Sequence, residues 1–266
     1  MTWWIAMLVD WAAAAVLMAG VQVFATRRRN AGWVDVAWSF GTGASGAFLA
    51  LAVGGVDHPR AWLVAAMAAF WGGRLGLHLA GRVAGEAEDG RYADLRERWG
   101  EAFDRRMAIF FQVQATWVVL FAVPMMVAAS RPGPLDWLDA LGLAIFVAAI
   151  AGETLADRQL AAWKRDHPEG EVVCRRGLWA WSRHPNYFFE WTHWLAYVAI
   201  GIAGPRGWLT LLGPVVMYFF LRWITGVKLA ERRSVRTRGE PYRRYQREVS
   251  AFFPWPPRRA AGAETG

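Results

Sequence analysis

Apolar residues in this chain gather into seven runs of near-membrane length, separated by short polar connections: roughly Trp3–Ala25, Val34–Val53, Ala61–Ala80, Ala108–Ala129, Trp137–Gly152, Tyr187–Ala203 and Trp208–Val227. A helix rises about 1.5 Å per residue, so about 20 apolar residues cross the hydrocarbon of a bilayer. The pattern predicts an all-α polytopic membrane protein with about seven transmembrane helices, the fifth and sixth runs being the shortest. The first run lacks a basic leader and is too long for a cleavable signal. It reads as an apolar anchor. We expect a single integral membrane domain: 1–152 carries the first five helices, 153–257 forms the C-terminal half, and 258–266 is a tail expected to be disordered. Gly41, Gly43 and Gly46 satisfy the spacing of a dinucleotide-binding loop. They lie inside a membrane-length run with no preceding strand, so small residues for close helix approach explain them better.

Composition supports the same class, with 55% hydrophobic residues and 18 Trp. Charge adds direction. Connections after the odd-numbered runs, together with the tail, hold 25 Lys and Arg, against only Arg60, Arg131 and Arg206 on the other side. By the positive-inside rule the N-terminus lies outside and the C-terminus in the cytoplasm. The single Cys174 falls in a cytoplasmic connection, and no disulfide is expected. Arg27–Arg29 read as a topology signal. The basic, aromatic tail suits an anionic lipid surface better than nucleic acid.

Polar residues inside or beside apolar runs are the candidates for chemistry, because a charge in hydrocarbon is costly unless paired or used. The densest set is Gly177–Glu190, G-L-W-A-W-S-R-H-P-N-Y-F-F-E, which puts Arg183, His184, Asn186, Tyr187 and Glu190 at the mouth of the sixth run. Pro185 suits a helix start. Asp35 opens the second run, with cap or dipole duty as the plain alternative. Arg74, His78 and Arg82 form an i, i+4, i+8 stripe expected to face the bundle interior. Glu153 and Asp157 share a face at the end of the fifth run, with Lys164 beyond. A solvated helical extension is the alternative for them. The segment 82–106 reads as a cytoplasmic loop with a short amphipathic helix, Tyr92 being a candidate site residue with its solvated face as the plainer reading. Arg175, Arg176, Arg183, Arg222 and Lys228 exceed what topology needs and suit phosphate groups. No H-E-x-x-H, paired Cys or clustered His is present, so no metal is expected.

Gly177-Leu178-Trp179, then Ser182-Arg183-His184-Pro185-Asn186-Tyr187 with Glu190, and Tyr242-x-x-Tyr245 before Phe253-Pro254-Trp255-Pro256, resemble the membrane reductase family of steroid 5-alpha-reductases and their bacterial relatives of the DUF1295 type. The resemblance implies a seven-helix fold in a bacterial inner membrane. It also implies NADPH as hydride donor and reduction of a carbon–carbon double bond conjugated to a carbonyl in a lipid-like substrate. It places Asp157, Asn186, Glu190 and Arg222 at the cofactor. The steroid enzymes use a Glu on the second helix and a Tyr on the third to polarise the carbonyl. Asp35 looks like the counterpart of the Glu, and Trp71 stands where the Tyr would be.

The same C-terminal half is similar to isoprenylcysteine and phospholipid methyltransferases, which bind S-adenosylmethionine. The arginine excess suits the phosphates of NADPH better than that cationic cofactor. Taken together, Asp35, Trp71, Arg74 and His78 are the expected substrate-side residues. Glu153, Asp157, Lys164, Arg176, Arg183, His184, Asn186, Tyr187, Glu190, Arg222, Lys228, Tyr242 and Tyr245 are the expected cofactor side. Partners are a lipid-like substrate and membrane lipids, with no nucleic acid and no obligate protein partner implied.

Overall fold

A computed structural model describes residues 1–85, 88, 90–168, 172–224 and 226–258, with only the backbone at residue 91. Its helices are α1 (Trp3–Arg28), α2 (Trp33–Gly54), α3 (Pro59–Gly85), α4 (Gly90–Trp99), α5 (Phe103–Ala129), α6 (Trp137–Asp166), α7 (Pro185–Gly201), α8 (Leu212–Phe219), α9 (Val227–Arg238) and α10 (Glu240–Glu248). Among the described residues, 6 helical stretches are long and apolar enough to cross a membrane: α1, α2, α3, Tyr92–Ala129, α6 and Gly207–Arg238. The protein is thus all-helical and built for a membrane. The sixth apolar run forms α7, 17 residues long, or about 25 Å, the short end of what spans hydrocarbon. The fifth run is longer than its apolar stretch suggested. α6 continues through its polar end to 30 residues, which puts Glu153, Asp157 and Lys164 on one continuous rod. Of the expected tail, 259–266 lies outside the described residues.

The chain divides into two compact units, Met1–Asp139 with Tyr197–Leu212, and Ala140–Ala196 with Gly213–Gly266. In the first, α2 packs on α1, α3 and α5. The glycines of the second run make the closest approach: a Cβ on Gly43 would lie 2.8 Å from the Gly72 Cα, and one on Gly72 2.6 Å from the Gly43 Cα. Only hydrogen fits there, so α2 and α3 touch backbone to backbone. The turn into α2 is pinned by Asn30, whose Oδ1 accepts from Gly32 N (3.0 Å) while its Nδ2 donates to the Val83 carbonyl (3.3 Å). At the opposite helix ends, buried Arg60 pairs with Asp139 through Nε–Oδ1 and Nη2–Oδ2, both 2.8 Å. Arg131 bridges Asp136 (2.6 Å) and Asp139 (2.8 Å). Two cations and two anions thus neutralise each other. Hydrogen bonding and ion pairing to Arg131 hold the Asp136 carboxyl well below the usual carboxylate range.

In the second unit α6 and α7 run antiparallel, with Phe146 against His193 (6.4 Å between rings), Gly152 beneath the Phe189 ring, and Asp157 beside Asn186. A π-helical turn at Phe220–Ile224 follows α8. Phe252 is buried among Phe188, Trp191 and Tyr218, with ring centroids 5.2–6.2 Å apart. The aromatic end of the chain therefore packs on α7 and α8 through Phe252 and one side of Phe253, whose other side is exposed along with Trp255.

Candidate functional site

The central motif folds as a 3-10 turn at Gly177–Ala180 that leads into α7, and the C-terminal segment is strapped along it. Arg183 N donates to the Ser250 carbonyl (2.9 Å), Trp255 N to the Trp181 carbonyl (3.0 Å), and Ser182 Oγ to the Phe252 carbonyl (2.8 Å). Ser182 Oγ also accepts from His184 N (3.1 Å), capping the approach to α7. Arg183 is buried. Its Nε donates to Glu231 Oε1 (2.6 Å), its Nη2 lies 2.6 Å from the same oxygen, and its Nη1 donates to the carbonyls of Gln246 (2.9 Å) and Val249. Those carbonyls end α10, where a cation is favoured by the helix dipole. Arg183 is therefore a clamp for the tail. Protein acceptors occupy its guanidinium, where the expectation was a cofactor phosphate.

Tyr245 behaves likewise: its hydroxyl donates to the Trp179 carbonyl, with the Ser182 carbonyl 3.3 Å away, and burial pushes its pKa up. Tyr242 is buried beside it, its pKa pushed up to about 12 by burial. Both tyrosines join Val249 in a small core, which makes the Y-x-x-Y motif the other half of the clamp. Burial of Cys174 also raises its thiol pKa.

A second group lies along α6 and α7. Asn186 Nδ2 donates to Asp157 Oδ1 (3.2 Å), tying the start of α7 to the end of the apolar part of α6. In the antiparallel register of these helices, Glu153 and Glu190 fall at one level, one turn further in; both are buried. The solvated alternative for Glu153 is thereby excluded. The His184 and Tyr187 rings stack in parallel, 5.3 Å apart at 5°. Burial lowers the His184 pKa, the nearby Arg183 and Arg222 adding to that and the Glu231 carboxylate, 3.5 Å from Nε2, opposing it. Arg222 sits half-buried in the π-helical turn, its guanidinium 5.8 Å from the Trp223 ring centroid. Lys164, Arg176 and Lys228 are exposed, and Arg176 lies over Trp163 at 5.2 Å.

In the first unit, Asp35 is half-buried one turn into α2, and its Oδ1 accepts a hydrogen bond from the Tyr92 hydroxyl at 3.1 Å. Tyr92 is only 4% exposed, so its placement on a solvated face is corrected. It packs with Phe103, Met107 and Phe111 of the helix that follows, alongside Leu95 and Trp99. Tyr92, Leu95 and Trp99 recur at helical spacing, and that periodicity was the signal pointing inward. Trp71 is fully buried, edge-on to Trp38 at 6.1 Å, and Trp38 is edge-on to Phe121 at 5.4 Å. The Arg74, His78 and Arg82 stripe does not face the interior: Arg74 is half-buried, and His78 and Arg82 are exposed. The inner face of α3 runs instead through Ala61, Val64, Ala65, Ala68, Gly72 and Gly76, because the Gly43–Gly72 contact fixes its rotation.

A family model described as a protein of unknown function, DUF1295, matches residues 21–249. The chain belongs to the DUF1295 family. A search of curated proteins finds no significant match. The family match takes in every candidate from Asp35 to Tyr245, and it leaves out Asp10 and the aromatic end that locks onto the motif. Sequence reasoning missed two residues of this DUF1295 protein: Glu231, which joins Arg183 and His184, and Asp10, an acid within α1 that is 6% exposed. A lone carboxylate inside a membrane run was the available signal for Asp10.

Proposed function

We propose that this protein is an NADPH-dependent membrane reductase that saturates a carbon–carbon double bond conjugated to a carbonyl in a lipid-like substrate, with its cofactor side toward the cytoplasm. The observation that carries this reading is the hydrogen bond between Tyr92 and Asp35. Reduction of an enone gathers negative charge on the carbonyl oxygen, and catalysis needs a hydrogen-bond donor held where that charge develops. The Tyr92 phenol, held by Asp35 at the end of a membrane helix, is such a donor when its one proton turns from the carboxylate to the incoming carbonyl oxygen. Tyr92 takes the role for which Trp71 had stood in, and Trp71 and Trp38 form an apolar wall.

The donor set of the second unit fits a pyridine dinucleotide. Asp157, Glu153 and Glu190 accept from hydroxyl and carboxamide groups, Asn186 both donates and accepts, the His184–Tyr187 pair offers a flat aromatic face, and Arg222, Arg176, Lys164 and Lys228 offer cations for phosphates. A pyridine dinucleotide held by these residues would supply the hydride for such a reduction. The chain orients the carbonyl, donates to its oxygen through the Tyr92–Asp35 pair, and excludes water with Trp38, Trp71 and Phe121. The α-carbon would take its proton from solvent, so that hydride and proton together saturate the bond.

The test is binding of NADPH and of S-adenosylmethionine to the purified protein in nanodiscs, with NADPH consumption over a panel of lipophilic enones. NADPH binding and enone-dependent consumption are expected, with Tyr92→Phe lowering kcat by about 100-fold or more. Binding of S-adenosylmethionine without NADPH would overturn the assignment in favour of a methyltransferase.

A further inference from the structure

The end of the first unit away from the basic connections holds a cavity of about 330 Å³ that the chemistry above does not use. Its walls come from the start of α1 at Trp3, the end of α5 at Met126 and Val127, and the connection after α7 at Arg206, together with Val53 of α2. Most of that lining is apolar, and among the described residues none that lines it is acidic. The volume suits a small organic group rather than a bare ion.

Positive charge collects at this place from three sources. Arg206 is exposed and lies over the Trp3 ring at 5.0 Å, and its guanidinium has no hydrogen bond or ion pair among the described residues. Thr2 gives α1 no side-chain cap, and the N–H groups of Trp3, Trp4 and Ile5 have no acceptor among the described residues. The positive end of a helix 26 residues long is thus left open beside the cavity. Arg131 also lines it; the terminal nitrogens of this side chain go to Asp136 and Asp139, and its buried Nε has no acceptor among the described residues. The opposing dipole, at the carbonyl end of α5, is closed by the N–H groups of Ser130 and Arg131 and by Arg60, which donates to the Arg131 carbonyl.

Depth in the membrane decides which anion fits. Exposed Trp4, Trp62, Trp137 and Trp208 mark the helix ends on this same side, and tryptophan gathers at the level of the lipid headgroups. We propose that this cavity binds the head of one anionic phospholipid from the leaflet on that side, its phosphate between Arg206 and the first turn of α1 and the start of its acyl chains against Val53, Met126 and Val127. A guanidinium meets a phosphate through two parallel N–H donors, and the open N–H groups at a helix start face an anion in the same way. An inorganic anion would satisfy the charge and leave the apolar walls unfilled. A zwitterionic lipid would bring the walls their chains and no net charge for Arg206. A lipid seated there ties α1, α5 and the connection after α7 together.

The test is native mass spectrometry of the full-length protein released from nanodiscs of phosphatidylcholine doped with phosphatidylglycerol, the retained lipids being counted and titrated. Wild type should retain one phosphatidylglycerol in preference to phosphatidylcholine, and Arg206→Gln, a change at an exposed side chain, should weaken it by about 10-fold or more. Val53→Phe fills the cavity, keeps every charge and should lose the same lipid. Arg232→Gln, an exposed cation of α9, should leave that lipid in place. Should Val53→Phe fail to fold, Arg206→Lys keeps the charge and should bind phosphatidylglycerol more tightly than Arg206→Gln. Equal retention of phosphatidylglycerol by wild type and Arg206→Gln would overturn the proposal, as would equal retention of the two lipids by wild type. Displacement of the lipid by millimolar inorganic phosphate would overturn it in favour of a free-anion site. Neither NADPH nor an enone enters this measurement, so its outcome is separate from that of the reductase reading.

Discussion

Arg183 separates a structural motif from a cofactor ligand, and its replacement by Met tests which it is. In the fold its guanidinium holds Glu231 and the carbonyls of Gln246 and Val249, at 8% exposure. Removing one partner of a buried ion pair strands the other, at a cost of about 3–5 kcal/mol. The loss should lower the midpoint of thermal unfolding by about 6–20 °C, taking roughly 2–4 °C per kcal/mol. It should also free the strap, so that residues 240–258 become sensitive to protease before the rest of the chain. Removing the stranded charge as well, in Arg183→Met with Glu231→Gln, should recover part of the loss, because two neutral side chains cost less than one unpaired charge. The assay is thermal unfolding in detergent with proteolysis of the tail followed by mass, beside NADPH titration. An Arg183→Met protein with an unchanged midpoint and a protected tail, but much weaker NADPH binding, would refute the clamp and restore Arg183 as a phosphate ligand.

Asn186→Ala and Arg222→Ala should each weaken NADPH binding by about 10- to 150-fold, the equivalent of about 1.5–3 kcal/mol for a charge-assisted hydrogen bond; unchanged affinity in both, with monodisperse protein, would remove them from the site. Asp35→Asn keeps a hydrogen-bonding group beside Tyr92 and should retain more turnover than Asp35→Ala in single-turnover NADPH oxidation; equal, wild-type rates would remove Asp35 from the chemistry. His184 has its pKa lowered below the ordinary 6.5 by burial, so the unfolded chain takes up its proton first as pH falls. The stability that neutral His184 contributes is present above pH 6.5 and lost below it, as pH falls toward the folded pKa. His184→Gln should flatten the acid side of the stability profile, and an unchanged slope would count against this. For topology, Cys placed at exposed Asp57 or Arg206 should be labelled from outside, and Cys at exposed Arg98 or Arg232 should not. Buried Cys174 contributes little background. Equal labelling of both sets would reject the cytoplasmic C-terminus.

The sequence by itself determined the class and the inventory. Six of the seven apolar runs became helical stretches long enough to span a membrane, and the sixth became the shorter α7, because hydrocarbon leaves a spanning backbone no partner but itself. The polar residues around Ser182–Glu190 and at Asp35 stood out because such groups are costly beside lipid. Only the tertiary structure decided what each polar group does. Arg183 and Tyr245 look like ligands until the chain end, 60 residues and more away, brings carbonyls to Arg183 and places Tyr245 against the motif's own carbonyls. Tyr92 looks solvent-facing until α4 folds back on α5, and the Arg74, His78 and Arg82 stripe looks inward until Gly43 and Gly72 fix the rotation of α3. Composition and periodicity are local and report the cost of exposing a side chain. Its hydrogen-bond partner is set by contacts between segments far apart in the chain, which local pattern does not encode.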